Sequence, residues 1–209
     1  KLVEDGEAEF LHISSGLQIA DALEHAHQRD VIHRDIKPSN VLVTPEGHAK
    51  LVDMGLARMH HIESDSADAT ASGVTLGTFD YISPEQARGE PLVDTRSDIY
   101  SLAATFYHMV VGQVAFHGDN AAGVIARHLT EPVTPPRERN HLISQPVDWM
   151  IVKGMQKARE DRYQMPHELL AVDASVRGAA GDLEVQLASW RGGPRRVRAL
   201  DVERGIPDR

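Results

Sequence analysis

His33-Arg34-Asp35-Ile36-Lys37-Pro38-Ser39-Asn40 decides the reading of this chain, together with Asp53-Met54-Gly55, which begins thirteen residues after Asn40. Alone, the octapeptide could be a solvated, charged turn in which Pro38-Ser39-Asn40 punctuates the entry to a strand. A second motif at a fixed distance changes that weighing, because residue types in fixed order at two linked places are rare by chance. Asp35, Asn40 and Asp53 each offer a hard oxygen donor. Val41-Leu42-Val43 and Ala49-Lys50-Leu51-Val52, separated by Thr44-Pro45-Glu46-Gly47-His48, read as a small hairpin presenting Asn40 and Asp53 from its two sides.

On these motifs the chain resembles a protein kinase. More narrowly, it is similar to the C-terminal lobe of a eukaryotic-like Ser/Thr protein kinase of the bacterial type, from about Leu2 to about Val176. The resemblance implies that Asp35 is the catalytic base accepting the substrate hydroxyl proton, and that Asn40 and Asp53 hold the Mg2+ ions bridging the ATP phosphates. Lys37 would stand beside the transferring phosphate, and lysine at that place is the Ser/Thr-kinase pattern. His33 takes a packing role against Met54 and is not a general base. The chain departs from the family in having Met54 where phenylalanine is usual and Ser83 where alanine is usual; an unbranched methionine can fill the same gap.

Downstream residues extend the likeness. Gly77-Thr78 and Ser83-Pro84-Glu85 resemble the end of a kinase activation segment, with Thr78 hydrogen-bonded to Asp35 and Lys37 by family analogy. Asp98 matches the family's helix-start aspartate, whose carboxylate accepts backbone N–H groups of the catalytic loop. Arg162 matches the arginine that pairs with the activation-segment glutamate, here Glu85. Arg34 matches an arginine that binds a phosphorylated activation-segment residue, for which Thr70, Ser72 and Thr75 are the candidates.

Before His33 the sequence offers no glycine-rich loop, no strand lysine and no helix glutamate to fix a nucleotide; Gly6 and Gly16 are isolated. Residues 1–28 read instead as two helices leading into the catalytic loop. The expectation is a partial kinase domain that starts in mid-domain, with its N-terminal lobe in a parent chain, and that binds ATP poorly and is inactive or very weak alone. A non-catalytic truncated lobe that docks other proteins is the alternative. A two-metal hydrolase built on Asp35 and Asp53 ranks third, because such sites draw on more carboxylates or histidines.

The expected fold is mainly α, a kinase-like large lobe over 1–176 with one small β-hairpin, followed by a tail or linker over 177–209 rich in Gly and Arg. Ile13, Leu17, Ala20 and Leu23 place an apolar stripe on a helix ending near Arg29-Asp30. Residues 59–72 carry neither period and read as a loop. Asp98 to Val111 is apolar on nearly every face, as a helix buried at the centre of a lobe would be, with Gly112 as its stop. Ala121 to Leu129, Val147 to Met155 and Pro166 to Val176 give three short helices.

Composition sets the remaining bounds. With 41% hydrophobic and 25% charged residues the 209-residue chain is ordinary for a globular protein. A formal charge of -9 argues against nucleic acid as a partner, and the kinase resemblance implies protein substrates with Ser or Thr acceptors. The chain has no cysteine, in keeping with a cytoplasmic setting, and no apolar run long enough to span a bilayer. Of the twelve histidines, His25 with His27 and His60-His61 with Glu63 are the closest spacings, but they lack a third ligand and read as solvated side chains.

Overall fold

The computed structural model describes residues 17–44, 47–53 and 79–169. Within them, a helix over 17–27 (α1) leads through the stretch His33 to Asn40 into a hairpin of β1 (Val41–Val43) and β2 (Ala49–Leu51). Five helices follow: α2 (Pro84–Ala87), α3 (Thr95–Val111), α4 (Ala121–Thr130), α5 (Pro136–Arg139) and α6 (Gln145–Gly154). The architecture is helical with one two-stranded antiparallel sheet, as the sequence leads one to expect.

The hairpin pairs Val41 with Leu51, Leu42 with Lys50 and Val43 with Ala49. Strands of three residues are marginal alone, so tertiary support matters. Gln18 on α1 supplies it, donating from Nε2 to the Gly47 carbonyl at 3.1 Å and accepting from Ala49 N–H at 2.9 Å. Gly47 takes a left-handed φ of 84° at the turn, where a side chain would be strained.

α3 is the axis of the core. Ile99, Tyr100, Leu102, Ala103, Phe106 and Tyr107 are buried in one cluster with Leu17, Ile19, Ala20 and Leu23 of α1 and Val147, Met150 and Ile151 of α6, and burial of Ser97, Ser101, Ala104 and Thr105 encloses the helix on its other side. Burial of each large apolar side chain contributes about 1.5–3 kcal/mol. The α3–α6 contact is close because Gly154 faces Ala103; a Cβ on Gly154 would lie 2.6 Å from the Ala103 methyl.

α3 starts earlier than the expected Asp98. Its N-cap is Asp94, whose side chain accepts from Arg96 N–H, and Asp98 lies within the first turn. The polar run Thr95-Arg96-Ser97 hides this start because apolar periodicity begins only after it, while the cap chemistry at Asp94 goes with the backbone. The expected stop is observed: Gly112 adopts φ 81° and its N–H bonds the His108 carbonyl. α4 runs one residue beyond the expected Leu129, to Thr130, and α6 begins at Gln145, two residues before the expected Val147. The helix expected over 166–176 lies mostly outside the described residues, as do loop 59–72 and the tail.

The histidines are not uniformly solvated. His128 is fully buried, and His33 nearly so. His128 Nε2–H donates to the Asp80 carbonyl at 3.1 Å and Nδ1 faces the Tyr100 hydroxyl at 2.9 Å. Both ring nitrogens are satisfied, which is what makes burial of an imidazole tolerable.

Candidate active site

The site grows from the loop between α1 and β1. Asp98, on α3, accepts backbone N–H bonds from His33 and Arg34, each at 2.8 Å, one on each carboxylate oxygen. The Arg34 carbonyl in turn accepts from Gln86 Nε2 at 2.8 Å. Arg34 is thereby pinned at both its backbone polar groups, and it sits at φ 68°, a conformation that L residues adopt only when surroundings impose it. Gln86 belongs to α2, whose start is a capping box: Ser83 accepts from Gln86 N–H while the Gln86 side chain reaches back to Ser83.

Asp35 follows directly. Lys37 Nζ lies 2.9 Å from Asp35 Oδ2, and Asn40 Nδ2 donates to the same oxygen at 3.1 Å and to the Asp35 carbonyl at 2.8 Å. Both of those acceptors can only accept, so the amide orientation of Asn40 is determined and its oxygen faces away from Asp35. Asn40 is 5% exposed and closes the turn Pro38–Asn40 that delivers the chain into β1.

His33 is held by a tautomer that its neighbours fix. Nε2–H donates to the Val52 carbonyl at 3.2 Å, and Nδ1 accepts from Asp35 N–H at 3.3 Å. Burial pushes its pKa below the ordinary imidazole value, against the pull of the Val52 carbonyl, Asp35 and Asp53. It is therefore a neutral brace. Val52 is tied twice to the loop, since its N–H also bonds the Asn40 carbonyl at 2.9 Å, and Asp53 follows at φ 58°. Asp53 is exposed at the exit of the hairpin.

Arg162 and Glu85 meet in the interior, 0% and 1% exposed, with Nη1–Oε1 at 2.8 Å and Nη2–Oε2 at 2.9 Å. Burial opposes ionisation of Glu85, but the Arg162 bonds and charge and the Ser97 hydroxyl hold its pKa below the usual carboxylate value. The pair anchors α2, and with it Gln86. A shallow hollow beside Asp35 is lined by Arg34, Ile36, Tyr81, Ile82, Gln86 and Ser101.

The structure thus brings together Asp35, Lys37, Asn40, His33, Arg34 and Asp98, and joins Glu85 to Arg162. Thr78, Met54 and the candidate phosphosites Thr70, Ser72 and Thr75 lie outside the described residues. Gln86 is the participant that sequence reasoning passed over, although the spacing Ser83-Pro84-Glu85-Gln86 is a capping-box signal. Among the described residues there is no cluster of His, Cys, Asp or Glu able to hold a metal on its own, and no helix long and apolar enough to cross a membrane.

The chain is similar to known proteins over most of its length. The family model of the protein kinase domain matches residues 8–173. A probable serine/threonine-protein kinase of Clostridium perfringens is 40% identical over 158 residues, covering 76% of this chain and 22% of the relative. The serine/threonine-protein kinase PknB of Mycobacterium leprae is 39% identical over 150 residues, covering 72% and 24%. PknB of Mycobacterium tuberculosis is 38% identical over 156 residues, covering 73% and 24%. The chain spans less than a quarter of the length of each of these relatives. With the match running across most of its length, through the loop that Asp98 braces, the chain belongs to the protein kinase domain family.

Proposed function

We propose that the protein carrying this chain is a serine/threonine protein kinase, transferring the γ-phosphoryl group of ATP to Ser or Thr hydroxyls of protein substrates, with 1–176 as its large lobe. The observation that carries the proposal is the convergence of Lys37 Nζ and Asn40 Nδ2 on one oxygen of Asp35, at 2.9 and 3.1 Å, on a loop whose backbone is fixed by a buried carboxylate. Phosphoryl transfer asks a protein mainly for positioning and charge, and this loop is built for both.

The donor set suits Mg2+. Asn40 commits its amide nitrogen to Asp35, which leaves the hard carbonyl oxygen as its ligand, and Asp53 adds a carboxylate at an exposed position. When bound, the ion would offset negative charge on the nucleotide phosphates. Asn40 and Asp53 would hold it, Asp35 would orient the acceptor hydroxyl and take its proton, and Lys37 would face the charge that develops on the transferred group. Thr78, by family resemblance, joins Asp35 and Lys37. Arg34 is the candidate receptor for a phosphate on Thr70, Ser72 or Thr75.

Asp35→Asn in the protein that carries this chain tests the reading. The variant keeps the size of the side chain and removes the base, so turnover with ATP and a Ser/Thr peptide should fall by about a hundredfold or more. Turnover at the wild-type level would reject Asp35 as the base.

A further inference from the structure

The Cα of Asp35 joins two peptide planes, and the direction of its side chain follows from both. The plane that Asp35 shares with Ile36 is held within the loop, where Asn40 Nδ2 donates to the Asp35 carbonyl at 2.8 Å. The plane it shares with Arg34 is held from α2, where Gln86 Nε2 donates to the Arg34 carbonyl at 2.8 Å across 52 residues of sequence. At the other end of that plane the bond from Asp35 N–H to His33 Nδ1 is longer, 3.3 Å. By length, Gln86 has the firmer hold.

Gln86 is itself aimed. Its Oε1 accepts from the Ser83 hydroxyl at 2.9 Å and from the Ser83 N–H at 3.4 Å. A backbone N–H can only donate and a carbonyl can only accept, so the amide has one orientation, Oε1 toward Ser83 and Nε2 toward Arg34. Ser83 is fully buried and the neighbouring Glu85 is locked to Arg162, which fixes the root of the side chain. From there it runs along the wall of the hollow beside Asp35. The capping box is complete with Ser83 and Gln86 alone, so the bond to Arg34 is surplus to the cap.

We propose that Gln86 is a positioning residue for Asp35, a donor arm set by Ser83 that fixes the Arg34–Asp35 peptide and so the direction from which Asp35 meets a substrate hydroxyl. This role presupposes that Asp35 is the base, and it ties the segment following Thr78 to the loop that carries Asp35. Glutamine suits the task because one planar group accepts at one end and donates at the other. Glutamate would keep the cap but turn an acceptor oxygen toward the Arg34 carbonyl. Methionine would keep the length and lose both bonds.

The test compares Gln86→Glu, Gln86→Met, Ser83→Ala and the double variant Ser83→Ala/Gln86→Met with wild type in the protein that carries this chain, with turnover corrected for the folded fraction. In each Gln86 variant kcat should fall about tenfold, the order expected for one lost hydrogen bond and a displaced reacting group, while KM for ATP stays at the wild-type value. Ser83→Ala should cost less than Gln86→Met and nothing further in the double variant, because the arm it aims is then gone. Hydrogen exchange read by mass spectrometry separates positioning from general support of the fold. The peptide spanning His33 to Ile36 should exchange faster in Gln86→Met while α3 stays as protected as in wild type. Wild-type kcat in either Gln86 variant, independent losses from Ser83→Ala and Gln86→Met, or exchange that rises equally in α3 would overturn the proposal. Asp35→Asn is the reference: a crippled Asp35→Asn beside a wild-type Gln86→Met overturns the positioning role alone, and wild-type turnover in both rejects Asp35 as the base as well.

Discussion

Arg162→Met measures how far the interior ion pair supports the fold. The guanidinium has five N–H donors, and each has an acceptor: Nε the Gln156 carbonyl at 2.6 Å, Nη1 Glu85 at 2.8 Å and the Arg96 carbonyl at 3.0 Å, Nη2 Glu85 and the Lys157 carbonyl, both at 2.9 Å. Methionine fills comparable volume but leaves Glu85 as a buried charge without its partner, a loss of about 3–5 kcal/mol. The three stranded carbonyls place this site at the upper end of that range. Arg162→Lys keeps the charge but offers three rotatable donors in place of the planar fork, so about half of that loss should remain. Urea unfolding followed by circular dichroism reads the difference. Glu85→Met combined with Arg162→Met should be less destabilised than the sum of the single changes, by about 2 kcal/mol or more, because neither partner is then left buried alone. Because Glu85 has its pKa depressed in the fold, its contribution is fully present above the ordinary value of 4.5 and is lost as pH falls through the folded value. A loss below about 1 kcal/mol for Arg162→Met, or strict additivity in the double variant, would refute the claim that the pair anchors α2.

Two glycines should respond differently to alanine. Gly154→Ala drives a methyl to 2.6 Å from Ala103 at the α3–α6 contact and should lower stability by about 1–3 kcal/mol. Gly112→Ala meets no atom within 4 Å, so only the strain of φ 81° counts, about 1 kcal/mol, and thermal melts should rank the two in that order. His128 has its pKa pushed down to about 3, first by burial and then by Lys157, while the Asp80 carbonyl pulls the other way. The unfolded imidazole binds a proton below about 6.5 and the folded one does not, so this group removes up to about 1.4 kcal/mol of stability per pH unit on acidification. The stability difference between His128→Gln and wild type should therefore shrink steadily from pH 6.5 downward; a pH-independent difference would show that the ring titrates in the fold.

The parts of this structure that were legible in the sequence are those where one residue type has one job. Gly112 stops a helix because it alone tolerates the left-handed cap, and the hairpin shows because apolar runs flank a Pro-Glu-Gly turn. The burial of α3 was legible in its apolar run, where the polar interruptions Ser101 and Thr105 are small hydroxyl residues. What escaped was chemistry spread across distant positions. Nothing near Gln18 announces that its amide clamps a hairpin some thirty residues on. Gln86 looks like a surface residue until the capping box turns it toward the Arg34 carbonyl. His128 reads as one more polar residue on a short helix, and only the tertiary fold supplies a hydroxyl and a carbonyl that let it be buried. The start of α3 was misplaced for a related reason, since a cap is a backbone event and leaves no mark on the hydrophobic pattern.

Asp98 shows why the site needs a carboxylate in the interior. Two consecutive N–H groups, those of His33 and Arg34, point at the two oxygens of Asp98, and Arg34 itself sits in a left-handed conformation at φ 68°. An acceptor with two equivalent oxygens rewards that arrangement, whereas an asparagine there would meet one of the two N–H groups with its own NH2. Burial pushes the Asp98 pKa up to about 6, and the two backbone N–H bonds draw it the other way. At neutral pH the carboxylate stays ionised at some expense to stability, and that expense is what holds Arg34 in a strained turn. The turn sets the direction in which Asp35 leaves the loop, and Lys37 and Asn40 then converge on it within two short bonds. Stability is thus given up at α3 to fix the loop that carries Asp35, and in this way a long buried helix sets the geometry of side chains it never touches.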